Sequence, residues 1–232
     1  MTMNLGYPQL TIIALGGSIM VPGEIDHNFL INFKTFIELY TNKGFHFVIV
    51  AGGGRTSRNF QEAAEKVIDI SDEDKDWLGI HATRLNAHLL RTIFRDIADP
   101  YVIDSRGKII KIEFPVTIAS GWQPGWSTDY IATCLAVDFD MKKIIIAGKP
   151  DHVYDKDNQK YPDAKPLPKL SWSQYRQLIP DKWIPGFSSP VDPVAAKLAE
   201  EHKIQATIIN GRDLINFAQV LDEKEFVGTV IS

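Results

Sequence analysis

Short, almost entirely apolar stretches recur along this chain of 232 residues, and longer amphipathic segments separate them. The clearest are LTIIAL at 10–15, FHFVIVA at 45–51 and KKIIIAG at 142–148. Strands that are apolar on both sides are typical of parallel sheets whose two faces are covered by helices. The pattern therefore predicts an α/β fold, a three-layer α/β/α sandwich around a mostly parallel central sheet.

The remaining segments continue this alternation. Further strands are predicted at 101–104, 111–119 and 204–210, and helices over 28–44, 56–69, 72–97, 128–139 and 190–203, with another beginning at 211. The stretch 155–190 is rich in Pro, Lys and Asp and has little periodicity. Because so long a connection is rarely idle, it predicts a lid or a binding loop.

Charge and composition exclude several classes of partner. The 29 Asp and Glu residues outnumber the 25 Lys and Arg residues, so a net charge of −4 offers no general attraction to nucleic acid or anionic membrane. No stretch approaches the ~20 apolar residues of a membrane span. The start, MTMNLGYPQL, lacks a signal peptide pattern. Cys134 is the single cysteine, which suits a reducing compartment. We expect a cytoplasmic protein that binds neither nucleic acid polymers nor membranes.

Glycine-rich sequence follows four of the predicted strands. The four segments are LGGS (15–18), AGGGRTSR (51–58), SGWQPGWSTD (120–129) and AGKPDHVYDKD (147–157). In an open parallel sheet, ligands bind at the carboxyl ends of the strands. Glycines there let the backbone approach a ligand closely, and the amides at the start of the next helix favour anions. The four segments therefore predict a phosphate site at one edge of the sheet.

Side chains in these segments fit an anion site. Arg58 lies one turn into a predicted helix, where a guanidinium can fork onto phosphate oxygens. Ser127 and Thr128 precede another helix, so their hydroxyls could cap it, bind a ligand, or do both. Asp129 could interact with the helix dipole or orient a cation such as Mg²⁺. Lys149, just beyond a strand, would be the counter-charge to a phosphate.

The first glycine segment lacks the lysine that usually accompanies a phosphate loop. Ala14 precedes its glycines and Ser18 follows them. If this loop binds phosphate, its positive charge comes from elsewhere. Arg58, Lys149 and Mg²⁺ are the candidates.

Taken together, the motifs resemble the amino-acid kinase superfamily and, within it, the uridylate (UMP) kinases, the archaeal type most of all. Their order is LGGS, GGG.T.R, D..G..A.RLNA, G.QPG.STD, K.DHVYDKD and DP.A.K. The most specific segment is DWLGIHATRLNAHLL (76–90), followed by GWQPGWSTD (121–129). DAKPLPKLSW (163–172) also resembles the segment after the family's nucleotide loop. The match runs from Ile12 to about Phe217.

The resemblance implies one domain over 1–232, with an acceptor-binding half at about 1–140 and an ATP-binding half at about 141–232. It implies transfer of the ATP γ-phosphoryl group to UMP, giving UDP. It further implies Mg²⁺ carried by the nucleotide rather than by a metal site of the protein, and a homo-oligomer, commonly a hexamer.

Carried over position by position, the resemblance implies three overlapping sets of residues. The UMP set is Gly53, Arg58, Asp76, Gly121, Trp122, Gln123, Pro124, Gly125, Trp126, Ser127 and Thr128. The ATP set is Gly16, Gly17, Ser18, Gly54, Gly148, Lys149, Tyr154 and Asp157. The catalytic set is Gly16, Gly17, Ser18, Asp129 and Lys149. Asp76 would reach the ribose, Thr128 the acceptor phosphate, and Tyr154 the adenine.

The chain departs from the family at a few positions, and these departures keep other functions open. The family usually has lysine at the position of Ala14, its archaeal members often have another at Ser18, and His152 replaces a usual glycine. The acceptor could instead be isopentenyl phosphate or another small phosphate. Trp122 and Trp126 add apolar surface that could favour such an acceptor or could form oligomer contacts. Alternatively, the protein binds a nucleotide or an anion without turnover.

Overall fold

The computed structural model describes residues 9–158, 160–181 and 189–232. Its strands are β1 (Leu10–Leu15), β2 (His46–Ala51), β3 (Ala98–Ile103), β4 (Val116–Ala119), β5 (Lys143–Gly148), β6 (Val153–Tyr154), β7 (Pro166–Leu167), β8 (Lys169–Leu170), β9 (Gln205–Asn210) and β10 (Thr229–Ile231). Its helices are α1 (Gly17–Met20), α2 (His27–Thr41), α3 (Gly54–Glu65), α4 (Asp72–Ile93), α5 (Thr128–Asp138), α6 (Trp172–Arg176), α7 (Pro193–Glu201) and α8 (Leu214–Leu221).

Eight strands form one sheet in the order β3-β4-β2-β1-β5-β9-β10-β8, and β6 pairs with β7 separately. All neighbours in the large sheet are parallel except β9 and β10. The predicted mostly parallel α/β sheet is therefore confirmed. The strand β1, expected over 10–15, has those bounds.

Helices cover both faces of the sheet. Successive residues of a strand point to opposite faces, so Ile12 and Ala14 pack into one apolar cluster and Ile13 and Leu15 into another. Helices α5, α6 and α7 supply the first cluster, whereas α2, α4 and α8 supply the second. This arrangement is the predicted three-layer sandwich.

Several predicted helices and strands were longer than those in the structure. The helix expected over 28–44 ends at Thr41, and Gly44, with φ of 91°, lies in the turn after it. The helix expected over 72–97 ends at Ile93. The strand expected over 111–119 begins only at Val116, because Lys111 and Glu113 are exposed and pair with each other in solvent.

The stretch 155–190, expected to be one loop, contains regular structure. It holds β7, β8 and α6, and β8 joins the edge of the main sheet through β10. Residues 182–188 of the predicted lid lie outside the described part of the chain. Within the described ranges, no helix combines the length and the apolar character needed to cross a membrane.

Candidate functional site

The topology brings the glycine-rich segments to one edge of the sheet. Strands β4, β2, β1 and β5 are consecutive neighbours and run parallel, so the segments that follow them emerge side by side. Backbone bonds join these segments directly. The amide of Gly16 donates to the Ala147 carbonyl at 2.9 Å, and the amide of Gly52 donates to the Leu15 carbonyl at 2.9 Å.

The segments after β1 and β2 pack backbone against backbone. A Cβ placed on Gly17 would lie 2.1 Å from the Gly54 nitrogen and 2.5 Å from the Gly52 carbonyl carbon. A Cβ on Gly52 would lie 2.3 Å from the Gly17 nitrogen. Gly54 also has φ of +64°, which favours glycine. Only glycines fit this contact, so the two loops form one rigid unit.

Arg212, after β9, holds the segment that follows α1. Its guanidinium donates to the Ile19 carbonyl at 3.2 Å and pairs with Asp26, which also caps α2. The arginine therefore connects the first glycine loop to the segment that follows β9, the neighbour of β5 on the side away from β1. It received no role in the sequence analysis.

A cleft of about 700 Å³ lies at this edge of the sheet. Seven predicted site residues line it: Gly16, Ser18, Arg58, Thr128, Asp129, Gly148 and Lys149. The other residues that line it are Ala14, Pro22, Gly23, Arg55, Ile146, Ala147, Pro150, Ser189, Pro190 and Ile208. Of the described residues, the predicted Gly17, Gly53, Gly54, Asp76, Gly121 to Ser127, Tyr154 and Asp157 do not line this cleft.

Among the residues that the structure describes, three cationic side chains line the cleft: Arg55, Arg58 and Lys149. Ala14 presents only a methyl group there. Arg55 was not predicted, although it directly follows the glycine triplet. Its guanidinium makes a two-pronged pair with Glu62, with both N–O distances at 2.9 Å.

Asp129 stands next to a second carboxylate, Asp192. Burial raises the pKa of Asp129 well above its usual range, and the negative charge of Asp192 raises it further. The Ser127 hydroxyl donates to Asp192, which also caps α7 by accepting from the amides of Val194 and Ala195 at 2.8 and 3.0 Å. Of the two, Asp129 lines the cleft, where a carboxylate favours a bound cation such as Mg²⁺.

The hydroxyl residues that precede α5 differ in their contacts. Ser127 is the N-cap and accepts from the Tyr130 amide at 3.0 Å, whereas Thr128 faces the cleft. Asp192 was absent from the predicted sites, although it is the aspartate of the DP.A.K motif.

Polar side chains of α4 contact the backbone of two of the glycine-rich segments. The Asp76 carboxylate accepts from the Gly125 amide at 2.7 Å. Thr83 accepts from the Gly121 amide at 2.7 Å. The Asn86 amide donates to the Gly52 and Gly53 carbonyls at 2.8 and 3.0 Å. Helix α4, with Asn86 of its RLNA motif, therefore contacts the loops after both β2 and β4.

The two tryptophans of the 121–128 segment are packed. Trp122 is buried, and its indole N–H donates to the Ile103 carbonyl at 3.2 Å. The Trp126 ring is half-buried, with its centroid 6.0 Å from that of Trp122 and 4.9 Å from that of Tyr130. Much of the apolar surface of these rings is thus used within the fold.

Beyond Pro150 the chain forms the β6–β7 ladder, which carries Tyr154. The Tyr154 hydroxyl donates to Asp151 at 2.8 Å, and the His152 ring stands edge-on to Tyr154 at 6.1 Å. His152 Nδ1 lies 3.5 Å from the Asp151 carboxylate. The residue that replaces the family's glycine therefore packs beside the predicted adenine contact.

Known proteins resemble this chain over most of its length. The model of the amino acid kinase family matches residues 9–210. A uridylate kinase from Thermococcus kodakarensis is 30% identical over 224 residues, which cover 95% of this chain and 98% of that protein. One from Sulfolobus acidocaldarius is 32% identical over 201 residues, covering 82% and 85%. The crystal structure of a uridylate kinase from Archaeoglobus fulgidus is 28% identical, with a TM-score of 0.81, covering 97% of this chain and all of that one.

Proposed function

The chain belongs to the amino acid kinase family, and we propose that it transfers the γ-phosphoryl group of ATP to UMP, giving ADP and UDP. The observation that carries this proposal is the cleft where the segments after β1, β2, β4 and β5 meet, with Arg58, Lys149 and the Asp129 carboxylate in its walls. The relatives named uridylate kinase, about 30% identical over most of the chain, support UMP as the acceptor.

We assign the acceptor to the loops after β2 and β4, within about 1–140. There Arg58 and Thr128, which line the cleft, hold the UMP phosphate, and the 121–128 segment holds the nucleoside, as the resemblance implies. ATP lies on the side of β5, within about 141–232, where Gly148 and Lys149 contact its phosphates. The glycine contact of Gly17 with Gly52 and Gly54 then lies between the two phosphates that react.

This chemistry needs no general base. The phosphate of UMP is already an anionic nucleophile, so catalysis consists of in-line positioning and neutralisation of charge. The rigid glycine contact provides the positioning. Mg²⁺ bound to ATP supplies neutralising charge and Lewis acidity, and the Asp129 carboxylate, which lines the cleft, would hold it.

The absence of lysine at position 14 is offset by other cations. Arg58 and Lys149 were expected to supply this charge, and both line the cleft, which Arg55, paired with Glu62, lines as well. Together these side chains can neutralise phosphate oxygens from both sides. We therefore propose turnover rather than binding alone.

A homo-oligomer is part of the proposal. Phe60, Trp77 and Leu85 are exposed on α3 and α4, two helices that pack against each other, and a second copy would cover them. Light scattering of the purified protein tests this part. A mass of one chain of 26.1 kDa at micromolar concentration would contradict it.

The test of function is a coupled assay of ADP release with ATP, Mg²⁺ and a panel of acceptors. The panel is UMP, CMP, dUMP and isopentenyl phosphate, with acceptor-free reactions to subtract ATP hydrolysis. We expect turnover that is selective for UMP. Turnover with isopentenyl phosphate instead would identify that compound as the acceptor. ATP binding without turnover would identify a binding protein with a kinase fold.

A further inference from the structure

Three polar side chains lie along one stripe of α4, and each contacts the backbone of a segment at the cleft. Asp76, Thr83 and Asn86 are separated by seven and three residues, which places them on one face of the helix. We propose that Thr83 and Asn86 are positioning residues, through which α4 sets the geometry of the acceptor site. This inference rests on the proposed function, because it assigns the acceptor to these loops.

Asn86 controls the loop after β2. Its side chain is buried, at 3% exposure, and its amide group donates to two successive carbonyls, those of Gly52 and Gly53. Gly52 in turn packs on the backbone of Gly17 in the loop after β1. A shift of Gly52 therefore changes its separation from Gly17, and with it the distance between the acceptor and donor phosphates. Asn86 is expected to act on kcat.

Thr83 controls the loop after β4. Its hydroxyl is buried, donates to the Ile80 carbonyl at 2.6 Å and accepts from the Gly121 amide at 2.7 Å. A Cβ on Gly121 would lie only 2.8 Å from this hydroxyl, so the loop rests directly on the helix. Asp76 holds the same loop at Gly125. Thr83 is expected to act on the KM for UMP.

The simpler explanation is that a buried asparagine only stabilises the fold, and the chain offers a matched control for it. Asn216 on α8 is also buried, and its side chain also makes two hydrogen bonds to backbone. Its amide donates to the Val227 carbonyl and its oxygen accepts from the Val227 amide, both at 2.7 Å. Asn216 is not among the described residues that line the cleft.

The first experiment compares Asn86→Ala with Asn216→Ala. We expect both variants to lower Tm to a similar degree. Measured well below both Tm values, Asn86→Ala should lower kcat with UMP by ten- to a hundredfold, since a misplacement of about 1 Å costs about that much. Its KM for ATP should stay within twofold, and Asn216→Ala should keep kcat within twofold. Equal losses of kcat in the two variants would overturn the proposal.

The second experiment uses Thr83 and does not depend on whether Asn86→Ala folds. Thr83→Val keeps the shape of the side chain, loses the hydroxyl and should raise the KM for UMP about tenfold. Thr83→Ser keeps the hydroxyl and should restore it to within threefold. A KM unchanged by Thr83→Val, or a KM raised equally by both changes, would contradict the role of Thr83.

Hydrogen exchange separates this inference from the proposed function, because it needs no turnover. In Asn86→Ala, amides at 52–54 should exchange faster than in the wild type, and in Thr83→Val those at 121–125 should do so. Asn216→Ala should change neither segment. If wild type lacks activity with UMP but exchange changes as expected, the acceptor assignment fails and the positioning stands. If wild type is active and neither exchange nor kinetics changes, only the positioning fails.

Discussion

Thr83 and Thr229 each accept a hydrogen bond from a backbone amide and donate one to a backbone carbonyl. The segments that they hold differ in how many other contacts fix them. Thr83 joins the Gly121 amide to the Ile80 carbonyl, and Thr229 accepts from the Val153 amide at 2.9 Å and donates to the Leu167 carbonyl at 2.7 Å. We call residues 52–54 and 121–125 the acceptor wall, and residues 148–154 with 166–167 the donor wall.

The acceptor wall is fastened to a single long helix. Asp76 and Asn86 support it beside Thr83, all three on the 22-residue α4. The donor wall has a ladder of two residue pairs, Val153 with Leu167 and Tyr154 with Pro166. A wall held at three points by one helix cannot adjust without cost, whereas a two-pair ladder can. We therefore expect changes in the acceptor wall to alter the rate more than changes in the donor wall.

The largest effect should follow Gly17→Ala, which separates the acceptor wall from the first glycine loop. The new Cβ would meet the Gly54 nitrogen at 2.1 Å, so backbone must move. We expect the free energy of unfolding to fall by about 3 kcal/mol or more and kcat to fall at least about a hundredfold. Thermal unfolding and the ADP-release assay measure the two effects.

Gly23→Ala is the control for the stability of this variant. A Cβ at Gly23 has nothing within 4 Å, and its free energy of unfolding should stay near that of the wild type. Wild-type stability in Gly17→Ala as well would mean that the two loops are not in rigid contact.

The next largest effect should follow Asp129→Asn. Loss of one charged group from the site should lower kcat by about 10²- to 10³-fold. The free energy of unfolding should rise in this variant at neutral pH, because burial and the charge of Asp192 raise the pKa of Asp129 in the folded protein. Above the unfolded pKa of about 3.9, the unfolded chain releases this proton first, so wild-type stability falls as pH rises toward the folded pKa.

Urea unfolding of the nucleotide-free protein between pH 4 and 8 tests this sign. The asparagine variant should lack the downward slope that Asp129 contributes, and it should be the more stable protein at pH 8. A variant that is less stable than the wild type at pH 8 would show that Asp129 is stabilised as a carboxylate, in conflict with its environment beside Asp192.

A moderate effect should distinguish the binding sites of the two substrates. Arg58→Ala should raise the KM for UMP about ten- to a hundredfold, as expected for one lost charged hydrogen bond, and leave the KM for ATP within threefold. Lys149→Ala should do the reverse. Initial-rate kinetics with each substrate varied in turn measure both constants. Equal changes in both KM values in either variant would mean that UMP and ATP do not bind at separate sites.

Much of the fold could be predicted because its strands are apolar on both faces. For this reason the strand over residues 10–15 was predicted with its correct bounds. The strand β3 was placed too late, at 101–104, because it begins at Ala98 and includes Asp99 and Pro100. The strands β8 and β10 contain two and three residues, too few for a periodic signal, and exist through their pairing with each other and with β9.

Only those features of the site that depend on local sequence could be predicted. Glycines that directly follow strands can be recognised in the sequence, and a parallel sheet places them at one edge. Contacts between distant residues cannot be recognised in this way: Asn86 and Gly52 are 34 residues apart, and Ser127 and Asp192 are 65 apart. The RLNA and DP.A.K motifs were part of the resemblance, but the hydrogen bonds of Asn86 and Asp192 became visible only in the structure.

The smallest effect on activity should follow Thr229→Val, the donor-wall counterpart of the change at Thr83. Thr229 is fully buried, and loss of its hydroxyl leaves the Val153 amide without this acceptor. We expect the free energy of unfolding to fall by about 1–3 kcal/mol. Because the two-pair ladder can adjust, the KM for ATP should rise less than threefold and kcat should be unchanged.

Thr229→Val thus separates stability from activity within the donor wall. Thermal unfolding and ATP titration, run in parallel with Thr83→Val, give the comparison directly. A rise of tenfold or more in the KM for ATP would mean that the donor wall is as rigid as the acceptor wall. The number of hydrogen bonds that fasten each wall would then not determine its sensitivity to substitution.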